Sequence, residues 1–197
     1  MNDNQKVDKT RRNLVVATSV AGGAASLGAA IPFVASMMPS ERTKAAGAPI
    51  EVDISSIAPG ELKVFEWRGK PVWVIRRTQE MLESLKKAAG NLTDPASKSS
   101  QQPEYAKNEY RSLKPELMVM EGVCTHLGCS PQMKTAEAKA EMGADWAGGF
   151  YCACHGSKFD LAGRVFRGAP APTNLTVPPH AFLSDSTLLI GEDKKGA

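Results

Sequence analysis

Two short boxes hold all four cysteines and two of the three histidines of this 197-residue chain. Box one is the run C-T-H-L-G-C at residues 124–129, and box two is the run C-A-C-H-G-S at residues 152–157. Each box offers two thiols and one imidazole, which are the donor groups that bind zinc and iron in proteins. The residues alone therefore predict a metal centre that is shared between two loops.

The six donor groups are two more than a single tetrahedral metal needs. Two thiolates and two imidazoles would fill such a site, and the two remaining cysteines would oxidise to a disulfide in an exported protein. Box one supplies a C-x-H pair, and box two supplies either Cys152 with His155 or Cys154 with His155. Because adjacent side chains diverge, Cys152 with His155 is the easier pair to close on a metal. That choice leaves Cys129 and Cys154 to pair with each other.

The two boxes together resemble the Rieske iron–sulfur proteins, and in particular the disulfide-containing type found in quinol-oxidising cytochrome bc complexes. A site that binds only zinc would leave two cysteines without a role. Ring-hydroxylating oxygenases and their ferredoxins have one cysteine per box, so Cys129 and Cys154 argue against that class. The likeness continues beyond box two through Phe159-Asp160, Ala162-Gly163-Arg164, the loop Gly168–Pro172 and Asn174-Leu175.

The resemblance implies one [2Fe–2S] cluster of the Rieske type as the cofactor. Cys124 and Cys152 would bind one iron, and His126 and His155 would bind the other. The resemblance also implies a disulfide between Cys129 and Cys154, and a hydrogen bond from the Ser157 hydroxyl to a cluster sulfur. His155 would be the catalytic residue, because its exposed imidazole takes the proton of the quinol. Apolar shielding and docking are implied for Leu127, Gly168, Pro170 and Pro172.

Two residues qualify this pattern. Phe159 stands where the family usually has a tyrosine whose hydroxyl is a further donor to the cluster. One donor fewer predicts a lower reduction potential than in relatives that have the tyrosine. His180 lies outside both boxes, and we interpret it as a structural histidine.

The N-terminal end carries the whole net charge of +3, because residues 1–44 hold six basic and three acidic side chains. The rest of the chain is neutral overall, so the composition gives no argument for a nucleic-acid partner. Leu14–Met38 is a stretch of 25 residues without charge, which as a helix would span roughly 37 Å and cross a membrane. Arg11-Arg12 just before it resembles a twin-arginine export signal.

These features divide the chain into four parts. We expect a cytoplasmic N-terminus with the twin-arginine signal at 1–13 and a retained transmembrane anchor at 14–38. A flexible hinge linker at 39–50 and a Rieske head domain at 51–197 follow, with the cluster-binding subdomain at about 120–173. The expected location is the bacterial inner membrane, as a single-pass protein with the head in the periplasm.

The head is expected to be all-β, an antiparallel β-sandwich with a small cluster-binding subdomain. Leu62–Trp67 and Val72–Ile75 flank a turn and predict a hairpin. Further short strands are predicted at Leu117–Glu121, Gly149–Cys152 and Thr187–Gly191. One helix is predicted near residues 81–88, with Gly90 as its C-terminal cap. The polar segment Asn91–Lys114 is expected to be a surface loop, an insertion without an assigned role.

The resemblance implies that the chain is the electron-transfer subunit of a quinol–cytochrome c oxidoreductase, which contributes to proton translocation. Its expected partners are a cytochrome b subunit, a c-type cytochrome subunit and membrane quinol, within a dimeric complex. The alternative is the Rieske small subunit of an arsenite-oxidase-type periplasmic molybdoenzyme. The retained-looking anchor and the Gly168–Pro172 loop argue against that alternative.

Overall fold

The computed structural model describes residues 8–99 and 101–193 and divides the chain into two compact units, 1–45 and 46–197. The expected cytoplasmic segment 1–13 therefore lies partly outside the described residues. Helix α1 runs from Lys9 to Ser36, and the Asp8 carboxylate caps it by accepting from the backbone N–H groups of Thr10 and Arg11. Its most apolar window has a mean hydropathy of 1.8, so the helix is long and apolar enough to cross a membrane.

The expected linker contains a short helix, α2, from Glu41 to Ala46. The Lys44 ammonium lies 2.7 Å from the Glu41 carboxylate, one turn apart on this helix. The segment is therefore not extended throughout, although its sequence shows no apolar periodicity.

The unit from residue 46 onward is built from three antiparallel sheets of three strands each. The first sheet has the order β1-β9-β8, the second β2-β3-β4 and the third β5-β6-β7. The strands are β1 Ile50–Asp53, β2 Leu62–Trp67, β3 Lys70–Arg76, β4 Leu117–Glu121, β5 Gln132–Lys134, β6 Gly149–Cys152, β7 Ser157–Phe159, β8 His180–Phe182 and β9 Thr187–Ile190. The all-β expectation is confirmed.

Strand β3 separates two hydrophobic cores, because its side chains alternate between the two faces of the second sheet. Val72 and Val74 pack into the core shared with the first sheet. Trp73 and Ile75 pack into the core that also holds Cys124 and Cys152. The first two sheets thus form the sandwich, and the third sheet lies with the metal-binding boxes on the other side of β3.

The predicted hairpin is present, but its turn is tighter than expected. Strand β3 begins at Lys70, so only Arg68 and Gly69 connect it to β2. Both residues have positive φ, +54° and +69°, which is the two-residue turn that matches the twist of a hairpin. The strands at Leu117–Glu121 and Gly149–Cys152 have the predicted bounds.

Helix α3 extends from Gln79 to Ala88, with the Thr78 side chain accepting from the N–H of Met81. Gly90 is not its cap, because a 3-10 turn at Ala89–Asn91 continues the helix. A short helix, α4, spans Lys139 to Met142. No sequence pattern predicts α4, β1, β5, β7 or β8, since each is only three or four residues long.

The chain entering the head is fixed by the first hairpin. The Trp67 indole N–H donates to the carbonyl oxygen of Ala48 at 3.0 Å. The Arg68 guanidinium donates to the carbonyl oxygen of Gly47 at 3.4 Å and lies 4.4 Å from the centre of the Trp67 ring. Strand β1 begins two residues after Ala48 and pairs with β9.

His180 is a buried residue of β8, which fits its interpretation as a structural histidine. Its Nδ1 lies 2.8 Å from the carbonyl oxygen of Pro178, and its Nε2 has no partner among the described residues. The Tyr105 hydroxyl donates to the His180 carbonyl oxygen at 2.8 Å and accepts from its backbone N–H at 2.7 Å. Burial lowers the pKa of this imidazole more than the Pro178 carbonyl and Asp193 raise it.

We expect His180 to make the fold acid-sensitive. The imidazole is neutral in the fold and has a pKa of about 6.5 when unfolded, so unfolding takes up a proton at low pH. Its contribution to stability is complete above about pH 6.5 and is lost as the pH falls below that value. Denaturant unfolding of the wild type and His180→Gln from pH 8 to pH 5 should show a stability difference that moves in favour of the variant on acidification. A difference that stays constant with pH would contradict this assignment.

Candidate metal centre

Both boxes are tight turns of the same design. In box one the N–H of Gly128 donates to the carbonyl oxygen of Cys124 at 3.0 Å. In box two the N–H of Gly156 donates to the carbonyl oxygen of Cys152 at 2.9 Å. The two glycines have φ values of +83° and +80°, a conformation that residues with a Cβ rarely adopt. The shared spacing C-x-x-x-G is thus a turn signal that our sequence analysis did not use.

Each turn is held by a different sheet. Box one follows β4, and Gly122 at its entrance passes the Trp73 ring so closely that a Cβ would lie 2.2 Å from it. Box two is the turn of the β6–β7 hairpin, in which Cys152 pairs with Ser157. Trp73 stacks on Phe150 of β6 with ring centres 4.9 Å apart, which joins the two sheets beneath the boxes.

The four thiols differ in burial. Cys124 and Cys152 are each 2% exposed, Cys129 is half-buried and Cys154 is exposed. The sulfur atoms of Cys129, Cys152 and Cys154 lie within 4.8 Å of one another, and all four cysteines are free thiols. The pairing of Cys129 with Cys154 therefore stays a prediction.

Burial, and after it a hydrogen bond with Cys124, raise the pKa of the Cys152 thiol to about 12. The thiol is therefore protonated at neutral pH as long as no cation is bound. Because a thiolate is the form that binds metal, coordination at Cys152 has to release this proton.

The two imidazoles of the boxes face each other. The rings of His126 and His155 are 4.7 Å apart and almost perpendicular, at 87°. His155 is exposed, whereas His126 is half-buried and its Nδ1 is buried without a partner among the described residues. An unpartnered buried nitrogen costs about 1–3 kcal/mol unless something binds it. A metal group beside the buried thiols would bind it, so these residues fit a cluster with mixed sulfur and nitrogen ligands.

The loop Gly168–Pro172 and the residue after it connect the boxes to each other. The Ser157 hydroxyl, which is fully buried, accepts from the N–H of Ala171 at 3.1 Å. The Thr125 hydroxyl donates to the carbonyl oxygen of Thr173 at 2.7 Å. Thr125 and Ala171 are site residues that our sequence analysis missed, because neither has a side chain that binds metal.

The residues expected to shield and dock differ in exposure. Leu127 at the tip of box one is 71% exposed, and Gly168, Pro170 and Pro172 are exposed as well. The exposed Leu127, directly after His126 in the chain, gives box one an apolar outer edge. Phe159 is fully buried in the core beneath box two.

Comparison with known proteins gives two matching family models. Residues 50–179 match the model described as Rieske [2Fe-2S] domain, and residues 1–40 match one described as Ubiquitinol-cytochrome C reductase Fe-S subunit TAT signal. The second model covers the twin-arginine segment that the sequence indicates.

Two bacterial relatives share one name. The chain is 55% identical to the ubiquinol-cytochrome c reductase iron-sulfur subunit of Allochromatium vinosum, over 98% of this chain and 94% of that protein. It is 41% identical to the protein of the same name from Blastochloris viridis, over 97% and 98%. Among solved structures, one titled "Hyperthermophilic respiratory Complex III" matches with a TM-score of 0.47 and 27% identity, over 88% of this chain and 98% of that chain.

We expect Cys129 and Cys154 to be joined in the oxidised protein. Closing the bond needs their sulfur atoms to move from within 4.8 Å to about 2 Å. Thiol alkylation of the full chain without reductant should then label neither residue, and Cys129→Ser should leave the exposed Cys154 open to labelling. The buried Cys124 and Cys152 are an internal reference. Labelling of both Cys129 and Cys154 before reduction would contradict the disulfide.

Proposed function

We propose a function from one premise: the chain belongs to the Rieske [2Fe–2S] family, among the ubiquinol–cytochrome c reductase iron–sulfur subunits. It is an electron-transfer subunit of an oxidoreductase complex, and its cofactor is one Rieske-type cluster. The observation that carries this function is the pair of facing boxes, with one imidazole exposed and two thiols buried. The names of the relatives do not favour the arsenite-oxidase alternative.

We propose the ligands residue by residue. Cys124 and Cys152 would hold one iron and His126 and His155 the other, with each imidazole bound through Nδ1. The buried, unpartnered Nδ1 of His126 supports this choice of nitrogen. When bound, such a cluster takes up and gives out one electron, at a potential of about −150 to +300 mV that the neutral imidazole ligands raise.

The residues around the ligands have separate tasks. His155 is exposed, so its Nε2 can exchange a proton with a quinol hydroxyl while Nδ1 is engaged. The core beneath the boxes keeps water from the sulfur side, because Cys124, Cys152 and Phe159 are buried. Ser157 accepts from Ala171 through its oxygen, which leaves the hydroxyl hydrogen free to donate to a cluster sulfur.

The surroundings of the head follow from the same proposal. Ubiquinol, a cytochrome b subunit and a c-type cytochrome would be the partners, in a dimeric complex. Leu127 and the loop Gly168–Pro172 would dock on the membrane partner. The divisions 1–13, 14–38, 39–50 and 51–197 would be the signal, the anchor, the hinge and the head, with the N-terminus cytoplasmic and the head periplasmic. Helix α1 contains a window of 18 residues with a mean hydropathy of 1.8, long and apolar enough for such an anchor.

The assignment is tested on the full chain, affinity-purified from membranes in mild detergent. A reduced-minus-oxidised visible spectrum should contain the bands of both b-type and c-type haems, because the chain would co-purify with both cytochromes. Electron paramagnetic resonance of the same sample should give the signal of a reduced Rieske cluster. His155→Ala should lose that signal, and His180→Gln, which changes a histidine outside the boxes, should keep it. Molybdenum without haem would overturn the assignment.

A second prediction concerns the missing hydroxyl at Phe159. Phe159→Tyr should raise the reduction potential, because a new hydrogen bond to the cluster stabilises its more negative reduced state. Potentiometric titration of the cluster signal measures the change. Phe182→Tyr, in the other core, is the matched control and should leave the potential unchanged. An unchanged potential in Phe159→Tyr would mean that the hydroxyl does not reach the cluster.

A further inference from the structure

Two arginines from outside the boxes bind the turn at residues 160–164, which follows β7 directly. Arg77 comes from the end of the second sheet, and Arg111 comes from the polar segment Asn91–Lys114. Nη1 of Arg77 donates to the carbonyl oxygen of Leu161 at 3.4 Å. Nη1 of Arg111 donates to the carbonyl oxygens of Ala162 and Gly163 at 3.0 and 3.3 Å.

A third guanidinium belongs to the turn itself. Nε of Arg164 donates to the Asp160 carboxylate at 2.7 Å. The other oxygen of that carboxylate accepts from the backbone N–H groups of Ala162 and Arg164 at 2.9 and 2.8 Å. Asp160 therefore closes the turn and neutralises one of the three guanidinium groups.

These charges are withdrawn from water. Arg77 is 3% exposed, Arg111 0%, Arg164 2% and Asp160 1%. Burial lowers the pKa of Arg77 and of Arg111 to about 10, so both remain protonated at neutral pH. Dissolved salt screens buried charges much less than exposed ones.

The other carboxylates that act on these arginines lie nearer to solvent. Glu116 acts on Arg77 and is exposed. Asp94 acts on Arg111, is half-buried, and accepts from the backbone N–H groups of Lys98 and Ser99. Among the described residues, Asp160 is thus the one buried carboxylate that acts on all three guanidinium groups, and it contacts that of Arg164. The turn therefore carries an excess of buried positive charge.

We propose that this buried positive excess raises the reduction potential of the metal centre, and that the segment Asn91–Lys114 serves to hold Arg111 in place for this purpose. The inference rests on the proposed function. Reduction adds a negative charge to the centre, and fixed positive charge in a poorly screened interior favours the more negative state. Arg77, Arg111 and Arg164 are positioning and tuning residues, and among the described residues their hydrogen bonds go to groups other than the proposed ligands.

The turn begins three residues after the end of box two and shares a hydrophobic core with two of the box cysteines. Asp160 follows Ser157–Phe159, and Phe159 pairs with Phe150 two residues before the ligand Cys152. Leu161 and Ala162 belong to the same core as Cys124 and Cys152.

Further hydrogen bonds hold the Arg111 guanidinium in place. Nη2 of Arg111 donates to the carbonyl oxygen of Leu175 at 2.7 Å and to Oε1 of Gln102 at 3.0 Å. Its Nε is buried without a partner among the described residues, and its φ is +51°. The orphaned donor and the left-handed backbone both destabilise the fold. An uncharged side chain would remove the orphaned donor but leave the four oxygen acceptors of the guanidinium without this partner, so the test has to separate charge from hydrogen bonding.

The test compares reduction potentials in the full chain, purified in detergent and followed by the cluster's paramagnetic signal. Arg111→Met removes the buried charge and should lower the potential, with a shift of roughly threefold or more in the reduction equilibrium. Asp160→Asn removes the opposing charge and should raise the potential. Arg111→Lys keeps the charge and should stay near the wild type. Arg68→Met removes an exposed arginine of the hairpin and is the matched control without a shift.

The outcomes distinguish an effect of the buried charge on the reduction potential from an effect of a loosened turn. Opposite shifts in Arg111→Met and Asp160→Asn support the proposal, because loosening of the turn alone would not reverse sign between them. Equal shifts in Arg111→Met and Arg111→Lys, shifts of one sign in all variants, or no shift would overturn it. If Arg111→Met does not fold, Arg77→Met takes its place in the comparison. A wild-type chain without the cluster signal would instead overturn the proposed function.

Discussion

The two boxes come from different sheets and are separated in sequence by 22 residues, so their distance has to be fixed from outside. Two hydrogen bonds from one proline-rich stretch fix it. The Ala171 N–H binds the Ser157 hydroxyl of box two, and the Thr173 carbonyl binds the Thr125 hydroxyl of box one. A bond between Cys129 and Cys154 would add a covalent link on the exposed side. Beneath these links, the stacking of Trp73 on Phe150 holds the two sheets together.

The same arrangement sets up the electrostatics of the site. Thiols and one imidazole nitrogen are buried where water cannot satisfy them, which is unfavourable until a positively charged group is bound. The guanidinium groups of Arg77 and Arg111 add positive charge at the turn of residues 160–164, which follows β7. Of the two box imidazoles, that of His155 is the exposed one, so in the proposed function a proton would exchange there without opening the core.

The sequence predicted a metal centre shared by the two boxes, because cysteine and histidine at this spacing have few purely structural uses. It also predicted the strands whose apolar residues form unbroken runs, such as Leu117–Glu121. It did not predict the roles of Arg111 and Asn174, because a buried polar residue has no periodic signal in a polar loop. Asn174 accepts from the Val165 N–H and donates to Ser97, contacts that exist only once distant segments have met. Gly90 failed as a helix cap, since a 3-10 turn satisfied the last carbonyls of the helix instead.

The attachment of Ala48 to Trp67 has a mechanical consequence. Tension on the chain that enters the head is borne by this hydrogen bond and by the pairing of β1 with β9. Both belong to the side of the sandwich away from the core that holds Cys124 and Cys152. A pull is therefore borne by the first sheet and by β2, on the face away from the two boxes. With the proposed hinge, the head would be carried from one position to another while the geometry of the boxes stays unchanged.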